Sequence, residues 1–188
     1  MLVHAIRGRL WYAKTGHDAL IFAQNHQIKV HTSIIASESP YLNRMFEQSA
    51  QSGGRRTYYV HSVDVHTVLR TLELIYLGAY SYHLEKTEIP DSERLLIDVS
   101  VYHLCKAWQL PVDFQSIAFS RYKEAVFSQG YDPGQLLDSL QPMRTPLVDG
   151  ISREDIFPGK LLNALLSKGE LEEDRLVTFA VYEARRAI

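Results

Sequence analysis

Cysteine is all but absent. Cys105 is the only one in 188 residues, so no intrachain disulfide can form and the chain suits a reducing compartment. Long apolar runs are missing too, none approaching the roughly 20 residues of a membrane-spanning helix. The opening MLVHAIRGRLWYAK carries Arg7 and Arg9 where a signal peptide keeps its apolar core. The expectation is therefore a chain that is neither secreted nor membrane-inserted, but intracellular, with cytoplasm and nucleus not distinguished. Nor is there an excess of one charge: 20 Lys and Arg against 22 Asp and Glu leave a net charge of −2. That balance offers no electrostatic footprint for nucleic acid or anionic lipid, which leaves proteins as the expected partners. What the chain does have is 46% hydrophobic and 11% aromatic content, enough to bury a core in one or two domains.

Residues 26–46, HQIKVHTSIIASESPYLNRMF, change hydrophobic period partway along. Gln27 to His31 alternate as a half-buried strand does, whereas Ile34, Ile35, Tyr41, Leu42, Met45 and Phe46 recur at helical spacing. Asp18-Ala-Leu-Ile-Phe22 lies ahead of a polar Gln24-Asn25-His26, so the two β-prone runs predict a hairpin. Thr32 or Ser33 is expected to cap a short helix. Ser39-Pro40 repeats the signal, predicting a second helix over about 40–47. After a loop at 51–56, Thr57-Tyr-Tyr-Val60 reads as a third strand. Ser62 or Asp64 then caps a helix whose Val65, Val68, Leu69, Leu72, Ile75 and Tyr76 form one stripe, with Gly78 available for a left-handed terminus.

A polar stretch at 83–92 precedes the stripe Val101, Leu104, Cys105 and Trp108. Pro111 opens another helix, with Phe114, Ile117, Ala118, Tyr122, Ala125 and Val126 inward. Farther on, Asp132-Pro-Gly134 is a turn and Gln135 to Leu140 one or two helical turns. Helices are expected over Phe157 to Leu166 and Glu172 to Ile188, the latter with Val177, Ala180, Val181 and Ala184 inward.

Candidate chemistry is sparse. His61-x₄-His66 has a ligand-like spacing, but zinc needs three or four convergent ligands and no Cys or acidic residue stands at a matching distance. Cys105 falls on an apolar helix stripe, where cysteine behaves as a small hydrophobe. Ser52-Gly-Gly-Arg-Arg56 precedes a strand rather than following one, unlike a phosphate loop. Arg55-Arg56 and Arg185-Arg186 lack interleaved aromatics and read as solvated charge. A small hydrolase or metal-binding protein using His31, His61, His66 or Cys105 is the competing class, but no catalytic set converges and no cofactor is implied.

The order strand, strand, two short helices, strand and three longer helices carries a series of landmarks. They are Asp18 before the first strand, Val30-His31 ending the second, Ser39-x-Tyr-Leu with Met45-Phe46, Leu72-x-x-Ile-Tyr76-x-Gly78, and Val101-Tyr-x-Leu-x-x-Ala-x-x-Leu110. Over about residues 15–127 this series resembles the BTB/POZ family. The polar extension at 83–96 is similar to the version common in fungal members. The resemblance implies an α+β fold, a helical cluster flanked by a small mixed sheet, with an N-terminal segment at 1–14 and a helical extension at 128–188.

The same resemblance implies a noncatalytic protein–protein interaction module, a homodimerising scaffold or adaptor. Its dimer contact would come from Leu2, Ile6, Leu10, Trp11 and Tyr12 in the apolar N-terminal segment. His31 would be a buried polar residue whose imidazole bonds nearby backbone and holds the strand-to-helix corner. In BTB transcriptional regulators an acid matching Asp18 pairs with a basic residue after the histidine, a position held here by Thr32. Asp18 is thus expected to find a backbone donor or another cation, and corepressor binding through that groove is not expected. The alternative within the family is a cullin-type ubiquitin-ligase substrate adaptor. Such adaptors carry hydrophobic-x-Glu ahead of the third strand, and the stretch Phe46 to Gly54 lacks it, so cullin binding is expected to be weak or absent.

Overall fold

The computed structural model describes residues 2–13, 15–51, 55–61, 63–82, 91–129, 131, 133–139, 175, 176, 179, 180 and 183. They fall into two compact units, one of Met1–Glu88 with Leu104–Ile117 and one of Ile89–His103 with Ala118–Ile188.

In the first unit β1 (Ala19–Ala23) and β2 (His26–Val30) form the expected hairpin, antiparallel with Ala23 opposite His26. Gln24 makes the tight turn by taking a φ of 52°. β3 (Arg56–Val60) runs parallel to β1 on its other side, giving the order β2-β1-β3 and hence a mixed sheet. Parallel neighbours need a crossover, and α2 (Thr32–Glu38) with α3 (Pro40–Gln51) provides it. Alternation then sorts the side chains. Ala19, Ile21, Ala23, Ile28, Val30 and Val60 are buried on one face, while Gln27, Lys29 and Tyr59 on the flanking strands are exposed; central β1 does not alternate, and its Leu20 is buried on the other face.

Helix α4 (Val65–Leu77) begins and ends as its sequence dictates. The Asp64 carboxylate accepts from the Thr67 N–H at 2.9 Å, and Gly78 takes the left-handed conformation at φ 73°. Val68, Leu72, Leu74, Ile75 and Tyr76 are wholly buried. Past the helix end, Arg70, only 2% exposed, donates from Nε to the Ser81 carbonyl and from Nη2 to that of Tyr82. Glu73 accepts from the Ser81 N–H at 3.2 Å. These contacts fix the chain that leaves α4.

The N-terminal segment, expected only as an apolar dimer contact, is a helix, α1 (Leu2–Ala13), packed against α4. Gly8 permits the close approach: a Cβ there would stand 3.3 Å from Leu77 Cδ2. Trp11 lies on Tyr76 with ring centroids 5.1 Å apart. Arg7 completes the contact, pairing with Glu38 at 2.7 Å and donating to the Ser37 hydroxyl and the Ile75 carbonyl. Leu104, Cys105, Trp108, Leu110 and Phe114, from the end of α5 (Asp91–Ala107), the connection after it and the start of α6 (Val112–Gln129), add to this unit's core.

The second unit holds the rest of α5 and α6, the short α7 (Pro133–Ser139) and helical residues at 175, 176, 179, 180 and 183. Its core includes Leu95, Val99, Val101, Tyr102, Ala118, Tyr122, Leu136, Leu176 and Ala180. Phe179 makes edge contacts with Phe119, Tyr122 and Phe127, and Lys123 Nζ lies 5.5 Å from the Phe119 and Phe179 ring centres.

One boundary differs from expectation. The polar extension placed at 83–96 is helical from Asp91 onward, because Leu95 and Val99 supply a stripe despite the charges between them. Asp98 is fully buried in that stripe, with Arg121 3.7 Å away. Residues 83–90, the Phe157 to Leu166 helix, the glycine pair of the 51–56 loop and Arg185-Arg186 lie outside the described residues, as do Val177, Val181 and Ala184.

Candidate functional site

His31 ends β2 and begins α2, and its ring is spent on structure. Its Nε2 lies 2.8 Å from the Thr15 carbonyl, which can only accept, so Nε2 carries the proton. Nδ1 is then the acceptor for the Tyr76 hydroxyl at 2.9 Å. The same hydroxyl oxygen accepts from the His31 backbone N–H at 2.8 Å. Every polar atom in this corner has a partner, and His31 is only 7% exposed. Burial is the largest influence on the Tyr76 hydroxyl and pushes its pKa up to about 12, so it stays neutral at physiological pH.

Asp18 stands where the chain enters β1. Its Oδ1 accepts from the Thr32 N–H at 2.8 Å, its Oδ2 accepts from the Thr32 hydroxyl, and Arg56 Nη1 lies 3.5 Å from Oδ2. Both the expected backbone donor and the expected second cation are present. Partial burial works to raise the carboxyl pKa, but the Thr32 donors and the Arg56 charge outweigh it and hold the group below its ordinary value.

Ser39 caps α3 and does more than cap. Its Oγ accepts from the Leu42 N–H at 3.0 Å and donates to the Trp108 carbonyl at 2.6 Å, in a site with no exposure. Thr32, in contrast, is the first residue of α2 rather than its cap. His31 holds the cap position and makes no side-chain capping bond.

The competing chemical residues do not converge. His61 and His66 are exposed, and His61 stacks on Tyr59. Cys105 is fully buried, and burial pushes its thiol up to about 12, far from a reactive thiolate. Among the described residues no group of three His, Cys, Asp or Glu is placed to hold a metal ion, and no helix is long and apolar enough to cross a membrane.

The N-terminal helix divides its residues between two directions. Gly8 is buried and Trp11 turns toward Tyr76, whereas Ala5, Ile6, Arg9, Tyr12 and Ala13 are exposed, Ile6 by 56% and Tyr12 by 75%. Leu10 is half-buried, and the side chain of Leu2 lies outside the described ones. Periodicity alone did not separate inner from outer residues here.

A helical cluster with a small mixed sheet, in which the buried His31, Ser39 and Arg70 side chains are tied to backbone, defines an α+β scaffold. The family model described as the BTB/POZ domain matches residues 9–106, and the chain belongs to that family. BTB/POZ domains are protein–protein interaction modules. Similar solved structures include the BTB domain of human gigaxonin, 14% identical, covering 63% of this chain and 88% of that one with a TM-score of 0.47. The BTB domain of zebrafish PATZ1 is 15% identical, covering 65% and 89% with a TM-score of 0.44.

Proposed function

We propose that this chain is a noncatalytic, intracellular interaction module that pairs with a second copy of itself through the outward face of α1. The observation that supports this is the exposure of Ile6 and Tyr12 on a helix whose opposite side is fastened by Arg7, Gly8 and Trp11. Apolar side chains held on a docked helix cost little further ordering on association. In this reading residues 1–14 supply the pairing surface, 15–127 the BTB/POZ domain and 128–188 a helical extension. The module then serves as a scaffold or adaptor.

Light scattering on the intact chain tests the pairing. At micromolar concentration the mass should be about twice 21.5 kDa. Ile6→Glu combined with Tyr12→Glu should halve it while leaving circular dichroism unchanged. Removing residues 1–14 would be a poorer test, because it also strips Trp11 from Tyr76 and Arg7 from Glu38. A full-length chain that stays monomeric at high concentration would overturn the proposal.

Within the adaptor role, tight cullin binding is not part of this reading. Met45 and Glu47 do have the hydrophobic-x-Glu spacing, but both lie within α3, and Glu47 Oε1 accepts from Asn43 at 3.4 Å. Titration of the chain with a cullin N-terminal domain in a calorimeter should give weak heats or none. Submicromolar affinity would restore the substrate-adaptor alternative.

A further inference from the structure

The outer face of the sheet has a composition at odds with the rest of the chain. The net charge is −2, yet residues 19–30 and 55–61 contain no Asp or Glu; of their basic residues Lys29 lies on this face, Arg55 and His61 flank β3, and His26 and Arg56 fall in the rows of the opposite face. The nearest acid in sequence to β1 is Asp18, already engaged by Thr32 and Arg56. Lys29 and Arg55 are both exposed, and among the described residues neither side chain has a hydrogen bond or ion pair.

Register places an aromatic strip beside these cations. Across the sheet Gln27, Phe22 and Tyr59 share one row, and Lys29, Leu20 and Thr57 the next, both on the face opposite Ile21, Ile28 and Val30; in the second row Leu20 is buried and Thr57 is bonded to Ser49 of α3, so the open part is Lys29 with the Phe22 and Tyr59 row. Phe22 and Tyr59 stack with centroids 4.8 Å apart and planes 12° from parallel, and His61 continues the stack 6.2 Å from Tyr59. The first contact is an ordinary cross-strand pair that steadies the sheet. It leaves Tyr59 still 55% exposed, with Lys29 to one side.

We propose that this face docks an acidic segment of a partner protein, with an aromatic side chain of that segment lying against Phe22 and Tyr59 and its carboxylates meeting Lys29 and Arg55. Charge complementarity selects this occupant: an exposed aromatic pair with Lys29 and Arg55 on strands that carry no acid attracts carboxylates and repels a second basic surface. The proposal deepens the interaction-module reading by naming the chemistry of a partner, on a surface separate from the exposed residues of α1.

The test uses the intact chain and a fluorescein-labelled synthetic peptide in which a central tryptophan is flanked on each side by three Asp or Glu residues. Its control has Asn and Gln in their place. Anisotropy should show saturable binding of the acidic peptide, weakening at least fivefold between about 50 and about 300 mM salt, and little binding of the control. Tyr59→Ala should weaken it about tenfold, as loss of a central aromatic anchor does. Lys29→Glu, at an exposed site that folding does not need, should weaken it at least fivefold. Amide shifts in the isotope-labelled chain should gather on β1, β2 and β3. Equal binding of the two peptides, or wild-type affinity in both variants, would overturn the proposal. The Ile6→Glu, Tyr12→Glu chain should bind the peptide normally, so loss of pairing and loss of docking are read separately.

Discussion

The Tyr76 hydroxyl meets His31 twice, accepting from its backbone N–H at 2.8 Å and lying 2.9 Å from its ring Nδ1. One oxygen thus satisfies both the end of a strand and the ring of the residue that turns the chain into α2, the Thr15 carbonyl having fixed the tautomer. The bond from Nε2 to Thr15 extends this hold to the segment between α1 and β1.

Tyr76→Phe should therefore be costly although it removes one atom. Two buried groups of His31 would lose their partner, each at about 1–3 kcal/mol. A loss of at least about 2 kcal/mol in urea denaturation is expected, with the fold retained. His31→Ala leaves the backbone N–H bonded to Tyr76, so the double variant should lose less than the sum of the singles by about 0.5 kcal/mol or more. Strict additivity would show that the pair does not act as a unit.

Ser39 makes a sharper case. In an ordinary cap Asp replaces Ser without loss, because either oxygen accepts from the first turn. Here the hydroxyl must also donate to the Trp108 carbonyl in a buried site, which a carboxylate cannot do. Ser39→Ala should cost about 2 kcal/mol, lowering Tm by roughly 4–8 °C for a chain of this size. Ser39→Asp should be worse than Ser39→Ala in the same thermal melt. An Asp variant as stable as the native chain would mean that the Trp108 contact contributes nothing.

What could be read from the sequence was local. The hairpin, the Asp64 cap and the Gly78 terminus each depend on residues within a few positions of one another, and each is found where expected. The α1 helix was not legible, because Gly8 lowers helix propensity by about 1 kcal/mol and its reason, Leu77, is remote in sequence. The landmark positions Asp18, His31, Ser39 and Tyr76 could be located, but not their partners. Arg56 reaches Asp18 only because β3 lies parallel to β1 with Ala19 opposite Arg56. The same register brings Tyr59 against Phe22, a face that no reading along one strand reveals.

Asp18 allows two of its contacts to be ranked. Its ion pair with Arg56 joins side chains 45% and 47% exposed, so solvent screens it, and Arg56→Ala should change stability by less than about 0.5 kcal/mol. Thr32→Val removes a charge-assisted hydroxyl bond and should cost more, about 1 kcal/mol. The native carboxyl is held below its ordinary value of 3.8, so this stabilisation is present at neutral pH and is lost as pH falls below that value. Chemical denaturation at pH 7 should thus separate Thr32→Val from the native chain, and at pH 3 the gap should narrow. A gap that widens in acid would put the sign the wrong way round.

Alkaline pH probes the buried hydroxyls. Burial is the main cause that pushes Tyr76 and Tyr122 from 10.0 up to about 12, and Cys105 from 9.0 up to about 12. Tyr58 is raised as well, first by burial and then by the neighbouring Tyr41 hydroxyl 3.4 Å away. A group whose folded pKa lies above its unfolded one stabilises the fold fully below the unfolded value and loses that contribution as pH rises through the folded value. Stability should therefore be flat from about pH 7 to 8 with respect to these groups, begin to fall above pH 9 as the unfolded thiol ionises, and steepen above pH 10 with the tyrosines, each group contributing up to about 1.4 kcal/mol per pH unit. Tyr122 can be tested by itself, because its hydroxyl lies 3.0 Å from Ser139 Oγ, which itself donates to the Leu136 carbonyl, leaving Tyr122 as the donor. Tyr122→Phe should lower stability at pH 7, yet show a shallower decline between pH 10 and 12 when urea midpoints are compared. Parallel declines in the two proteins would mean that Tyr122 ionises as freely in the fold as outside it.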